Sequence, residues 1–268
     1  MNANYAFWTL MRRLYGLAFC VYMLLPLVIV LIVSFSADSF VQFPPESYGM
    51  RWYLSAMRNA NFVGSFLFSF KIACAIAVVA GVLGLLSALA LTRYAFRGRD
   101  AVIGLLTVPL ALPHIVLAIA LLQLFTIFAV PTSPYALFIG HLLITVPYVL
   151  RLTLTSLRGM DPQLERASQS LGATSWQTTR YVVLPNIAPG LLAGVVFSFL
   201  ISFDEVTISL FTALPGNTTL PAEIFHIASQ GSDPIVTAVS GIMILLSAAL
   251  VLLAEKTVGV LKMIANET

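Results

Sequence analysis

Residues 155–185 read TSLRGMDPQLERASQSLGATSWQTTRYVVLP, a polar stretch in an otherwise apolar chain. Asp161 followed by Pro162 is typical of a helix start, and Gly172 is typical of a helix end. Thr174 and Gln177 have the spacing of a capping box, which predicts a second short helix ending before Pro185. Loop 155–185 is thus predicted to hold two short helices. Helix connections are usually about 2–8 residues long, so the extra length favours a docking surface over a simple connector on the membrane.

The composition on either side of this loop indicates an integral membrane protein. Of the 268 residues, 59% are hydrophobic and 9% are charged, against about 25% charged in soluble domains. A membrane span needs about 20 apolar residues, and six apolar segments are long enough. We therefore expect one all-α transmembrane domain over residues 1–268, with spans at about 14–35, 62–91, 102–130, 135–154, 187–214 and 235–254. No room is left for an additional soluble catalytic domain.

The basic residues predict how these spans are oriented. Eleven of the 14 lysines and arginines fall in the termini and in alternate loops: Arg12, Arg13, Arg93, Arg97, Arg99, Arg151, Arg158, Arg166, Arg180, Lys256 and Lys262. Cytoplasmic loops carry such an excess, so both termini and loop 155–185 are predicted to be cytoplasmic. The stretches 36–61 and 214–233 then become external loops, and the first is long enough for a short helix.

Loop 155–185 also carries a family motif. Ala167, Gly172, Val182, Leu184 and Pro185 match the pattern Glu-Ala-Ala, three residues, Gly, nine residues, an aliphatic residue, one residue, Leu-Pro. This pattern is the coupling motif of permease subunits in binding-protein-dependent ABC importers, and the chain resembles that family from the second span to the sixth. The resemblance implies that the loop docks on a separate ATPase.

The match departs from the family at the start of the motif. Arg166 stands at the usual Glu position, Ser168 stands at the second Ala, and Glu165 is adjacent. The acidic contact is either shifted by one residue or replaced. The resemblance implies that the residues that couple this chain to the ATPase are Leu164, Glu165, Arg166, Ala167, Ser168, Leu171, Gly172, Ala173, Leu184 and Pro185. Leu164 and Leu171 lie on one helix face, and either pack within the loop or fill a groove in the ATPase.

Two further stretches narrow the branch. Residues 202–211 (SFDEVTISLF) and 214–221 (LPGNTTLP) resemble permeases that import polyamines, opines and aminophosphonates. The resemblance implies a bacterial inner-membrane importer with a second, related permease, an ATPase dimer and a periplasmic solute-binding protein. A permease for ferric iron or an amino acid is the alternative. An ion-coupled transporter fits less well, because such proteins usually show repeated spans and none is evident here.

The chain is not predicted to be an enzyme. It has no Gly-x4-Gly-Lys-Ser/Thr phosphate loop, so we expect ATP and Mg²⁺ to bind the partner ATPase, with no cofactor in this chain. His114 and His141 lack the spacing of metal ligands, so no metal site is expected. Pro109, Pro113 and Pro147 lie within predicted spans and are expected to bend them.

Asp204 and Glu205 are unexpected in the fifth apolar segment. A carboxylate at mid-membrane costs about 2.5–3.5 kcal/mol on insertion scales, so a functional role is the first hypothesis. On a continuous helix the two side chains would point about 100° apart. Both residues would lie in the external half of the span. Phe203, Asp204, Glu205 and Thr207 are the predicted translocation path. The alternative is a structural role, such as a pair with Lys71.

Overall fold

The computed structural model describes residues 2–213, 217–231 and 233–258, and every regular element in these ranges is helical. The all-α prediction is therefore confirmed for them. Lys262 and residues 214–216 of the second branch stretch lie outside the described residues. The helices are α1 (Asn2–Ser34), α2 (Arg51–Arg58), α3 (Ala60–Arg93), α4 (Arg99–Thr107), α5 (His114–Ile127), α6 (Pro134–Gly159), α7 (Pro162–Ser170), α8 (Ser175–Thr178), α9 (Leu184–Asp204), α10 (Thr207–Thr212), α11 (Leu220–Gln230) and α12 (Pro234–Val258).

Within the described ranges, five helices are long and apolar enough to cross a membrane. They are α1, α3, α6, α12 and a continuous helix from Ser175 to Asp204 that contains α8 and α9. A sixth crossing would need the bent pair Arg99–Leu110 and His114–Ile127. The helix at the fifth predicted span begins 12 residues before 187 and ends at Asp204, so one helix does not cover residues 187–214.

The third predicted span, 102–130, is not one helix. A 3-10 turn at Val108–Leu110 follows α4, and the helices on either side of the break meet at 101°. Two prolines explain the break: Pro109 stands in the 3-10 turn and Pro113 precedes α5 in an extended conformation. Neither proline can donate a backbone hydrogen bond, so two bonds are missing from the helical ladder at this point. The expected bend is thus confirmed at a defined place.

The described residues fall into two compact units, and the first contains 2–63 and 226–247. In this unit the loop after α1 is ordered by Asp38. Its carboxylate accepts bonds from the Ser47 hydroxyl, from the Ser47 N–H at 3.1 Å and from the Glu46 N–H at 2.9 Å. These bonds, the Ser47 hydroxyl foremost, lower the pKa of Asp38 to about 2. The carboxylate is therefore charged near neutral pH and holds the loop closed.

The second unit contains residues 64–225 and 248–258, and α3, α6 and α9 form its centre. Val149 of α6 is fully buried between glycines of the two neighbouring helices. A Cβ built on Gly84 would lie 2.6 Å from Val149 Cβ, and one on Gly194 would lie 2.8 Å from Val149 Cα. Small residues at membrane helix interfaces let backbones approach this closely. The adjacent cluster of Ala88, Leu91, Leu150, Leu154, Leu157, Val183 and Ile187 extends the packing along the helices.

The close contact at Gly194 predicts that a Gly→Ala substitution lowers stability there, although the same substitution raises stability at an uncrowded helix position. Gly→Ala in a helix gains about 1 kcal/mol of propensity, but overpacking costs about 1–3 kcal/mol. Gly194→Ala should lower the thermal unfolding temperature of the detergent-purified protein, since Val149 must move. Gly104→Ala is the matched control, because a Cβ there meets nothing within 4 Å. Equal unfolding temperatures for the two variants would contradict the packing.

Candidate functional site

The first helix of loop 155–185 forms as its sequence predicts. Asp161 caps α7 by accepting a bond of 2.9 Å from the Gln163 N–H, and Pro162 is the first helical residue. The segment ends at Gly172, whose φ of +89° lies in the left-handed region. Residues with a Cβ pay a steric penalty there, which explains the glycine.

The second helix begins as predicted but does not end before Pro185. Thr174 and Gln177 form the capping box, with bonds of 3.3 and 2.8 Å. After Thr178 the chain passes through a π-helical turn, Thr179–Val183, and continues into α9. At the end of this turn the Leu184 N–H donates to the Thr179 carbonyl, and Pro185 follows as the second residue of α9. Loop 155–185 is thus joined to the fifth span by unbroken helix.

Arg93, at the end of α3, fixes α7 against the second helix. Its guanidinium lies 3.4 Å from the Glu165 carboxylate and donates a bond of 2.7 Å to the Thr179 hydroxyl. Ser168 and Thr178 add a hydroxyl contact of 3.1 Å between the two short helices. Three polar contacts therefore hold the loop in one shape. The Glu165 carboxylate already has a partner, Arg93, within the chain.

The outer surface of this loop is apolar and basic. Leu164 is 43% exposed, Leu171 is 89% exposed and Trp176 is 67% exposed, so the leucines do not pack within the loop. Arg166 is also exposed. Among the other coupling candidates, the exposed residues are Ala167, Gly172 and Pro185. The half-buried ones are Ser168, Ala173 and Leu184. A surface helix normally turns its apolar residues inward, and α7 does the opposite.

The fifth span ends between the two acidic residues. Asp204 is the last residue of α9, and Glu205 is extended, with φ −75° and ψ 114°. The expectation that both lie on one continuous helix is therefore wrong. The two carboxyl groups lie in different surroundings: Asp204 is exposed, whereas Glu205 is 6% exposed.

Glu205 contacts a histidine rather than Lys71. Its Oε2 lies 2.8 Å from His114 Nδ1, and its Oε1 accepts a bond of 3.0 Å from the Ile208 N–H at the start of α10. Lys71 is exposed. Both carboxylate oxygens of Glu205 thus have donors, as a buried charge requires.

A buried polar chain continues from Glu205. Ser209 Oγ donates to the Glu205 carbonyl oxygen at 2.9 Å, which leaves the Ser209 oxygen to accept from His141 Nε2 at 3.2 Å. His141 Nδ1 lies 3.0 Å from Ser202 Oγ, and His141 is fully buried. These contacts join α10 to α6 and α9.

The remaining path candidates differ in access. Phe203 is 1% exposed, stacks on Phe199 with ring centroids 5.7 Å apart and meets Phe66 edge to face at 6.0 Å. Thr207 is half-buried. Asp204 is therefore the candidate whose polar group is open to another molecule, and Phe203 supports it from inside.

Residues 80–257 match the model of a family described as "Binding-protein-dependent transport system inner membrane component". The chain belongs to this family. It is a multi-pass membrane protein, the pore-forming permease subunit of an ABC importer. A permease of this kind is a translocation subunit and not an enzyme, because ATP hydrolysis takes place in a separate subunit.

The permease is similar to two curated proteins along most of its length. It is 33% identical over 234 residues to the spermidine/putrescine transport system permease protein PotC of Haemophilus influenzae, with 87% of this chain and 91% of that protein covered. It is 28% identical over 244 residues to the putrescine transport system permease protein PotI of Escherichia coli, with coverage of 88% and 85%.

The fold of the permease is similar to a solved one. The crystal structure of a bacterial ABC transporter involved in the import of the acidic polysaccharide alginate contains a chain that matches with a TM-score of 0.74. That match covers 93% of this chain and 94% of the other, at 16% identity. At this identity the similarity supports the fold alone.

Sequence reasoning about the permease missed the partners of its functional side chains. Arg93 was predicted only to mark the cytoplasmic side, and His114 and His141 were considered only as metal ligands. One signal was present: polar residues inside apolar spans need partners, and His114, His141, Ser202 and Ser209 all lie in such segments. The pattern could not say which of them meet.

The left-handed conformation of Gly172 predicts how sensitive the loop is to a single methyl group. Gly172→Ala should loosen the loop by about 1–2 kcal/mol, the cost of a left-handed residue with a Cβ. Gly159→Ala is a matched control, since added Cβ atoms at both sites meet nothing within 4 Å and only Gly172 has positive φ. Hydrogen exchange over residues 162–178 should accelerate in the first variant alone. Unchanged exchange in Gly172→Ala would contradict this account of the loop.

Proposed function

We propose that this permease moves an organic cation of the polyamine class through the inner membrane, together with a second, related permease. The proposal is supported by the names of the relatives, which are polyamine permeases, and by Asp204, an exposed carboxylate at the end of an apolar helix. A carboxylate attracts a cationic solute and would repel an opine carboxylate or a phosphonate. A periplasmic solute-binding protein delivers the solute, and both termini of the permease are cytoplasmic.

In this proposal the energy enters through loop 155–185. The exposed Leu164, Leu171 and Trp176 fill a groove in an ATPase dimer, which binds ATP and Mg²⁺; this chain needs no cofactor of its own. Because Glu165 is held by Arg93, the charge offered outward is that of Arg166, so the ATPase contact is basic on the permease side. The π-helical turn at Thr179–Val183 carries the motion of the ATPase into α9.

Leu171 tests the docking. Leu171→Asp places a charge on the exposed apolar surface, and a few large apolar residues usually dominate binding at an interface. We expect about a tenfold loss of ATPase that co-purifies with the permease, equivalent to about 1.4 kcal/mol. Tyr94→Asp is the control, because Tyr94 is 69% exposed and lies outside loop 155–185. Full retention of the ATPase by Leu171→Asp would exclude this surface as the docking site.

Asp204 tests the path. Asp204→Asn removes the charge but keeps the size, so uptake of radiolabelled spermidine by the reconstituted importer should fall about tenfold or more. Asp204→Glu should restore most of the uptake, and Asp100→Asn, at an exposed residue in the first turn of α4, should leave uptake unchanged. Loss of assembled protein in Asp204→Asn would instead indicate a structural role. A panel including an opine, an aminophosphonate, an amino acid and ferric iron identifies the solute class.

A further inference from the structure

Two of the apolar segments of this permease are interrupted, and the interruptions meet. The third segment breaks between Val108 and Pro113, and α5 begins at His114. The fifth segment breaks at Glu205, and α10 begins at Thr207. His114, the first residue after the first break, contacts Glu205, which lies within the second break.

The contact between the breaks is buried on the Glu205 side, and the His114 side chain is 39% exposed. His114 Nδ1 lies 2.8 Å from Glu205 Oε2, and the Glu205 side chain is 5% exposed. The second oxygen, Oε1, accepts from the Ile208 N–H at 3.0 Å, so the same carboxylate also caps α10. A buried carboxylate that loses one of its donors is left with an unpaid desolvation cost. A change in the geometry of one break would therefore disfavour the geometry of the other.

Packing on either side of the contact strengthens this coupling. Leu117 and Ala118 of α5, Ile144 of α6 and Ile208 of α10 form one buried cluster. The helices that follow the two breaks thus share an apolar core as well as the His114–Glu205 contact. A displacement of α5 must displace α10, because close-packed cores do not deform continuously.

We propose that His114 is a positioning residue for transport, which forms with Glu205 a latch that makes the two breaks move as one. The proposal rests on the proposed translocation function. In it, the neighbouring Asp204 meets the solute, whereas Glu205 never does, since its two oxygens are engaged within the chain. The latch transmits a change at Asp204 across to the third span.

Hydrogen exchange of the assembled importer in lipid nanodiscs tests the latch directly. In His114→Leu the exchange rates of amides in both 108–118 and 205–212 should rise about tenfold, because the second break loses its support. His114→Asn places a donor near the position of Nδ1 and should restore slow exchange in both segments. His226→Leu is the matched control, an exposed histidine in α11 whose loss should change neither segment.

The outcomes separate the latch from a local packing role. Faster exchange confined to 108–118, or failure of His114→Asn to restore slow exchange, would overturn the proposal. Transport gives the second measurement: His114→Leu should hydrolyse ATP while spermidine uptake falls, and His114→Asn should recover uptake. If the wild-type importer does not transport spermidine but exchange still links the two breaks, the solute assignment fails and the latch stands.

Discussion

The close approach of three helices around Val149 is the contact on which both candidate sites depend. Gly84 and Gly194 leave no room for a Cβ, so α3 and α9 lie directly against α6. Arg93 is the last residue of α3, and Asp204 is the last residue of α9. Within this unit loop 155–185 and Asp204 are therefore attached to one group of closely packed helices.

Local signals in the sequence were enough to predict the parts of loop 155–185 that depend on neighbours along the chain. Asp161, Gly172 and the Thr174–Gln177 box each act within four residues, and the structure has each as expected. The helix was predicted to end before Pro185, but it continues through this residue. The π-helical turn that precedes Pro185 could not be predicted from the sequence. The end of α9 at Asp204 was missed for a related reason, because hydropathy does not detect a break in backbone hydrogen bonding.

Contacts between distant parts of the chain could not be predicted in this way. Arg93 meets Glu165 across 72 positions, and His141 meets Ser202 across 61. A single sequence gives the cost of leaving such groups unpaired but not the identity of the partner. The same limit applies to Phe203, whose type is compatible with a pathway or with the aromatic cluster that it joins with Phe66 and Phe199.

The exposed Leu171 has a consequence for how many copies of the chain survive in a cell. A leucine that is 89% exposed at the tip of a loop is the kind of apolar feature that chaperones and proteases recognise. On the proposed orientation, the ATPase hides it as soon as the two subunits meet. A chain made in excess of its ATPase would keep Leu171 uncovered and be degraded, so under the proposed docking this side chain would also set subunit stoichiometry.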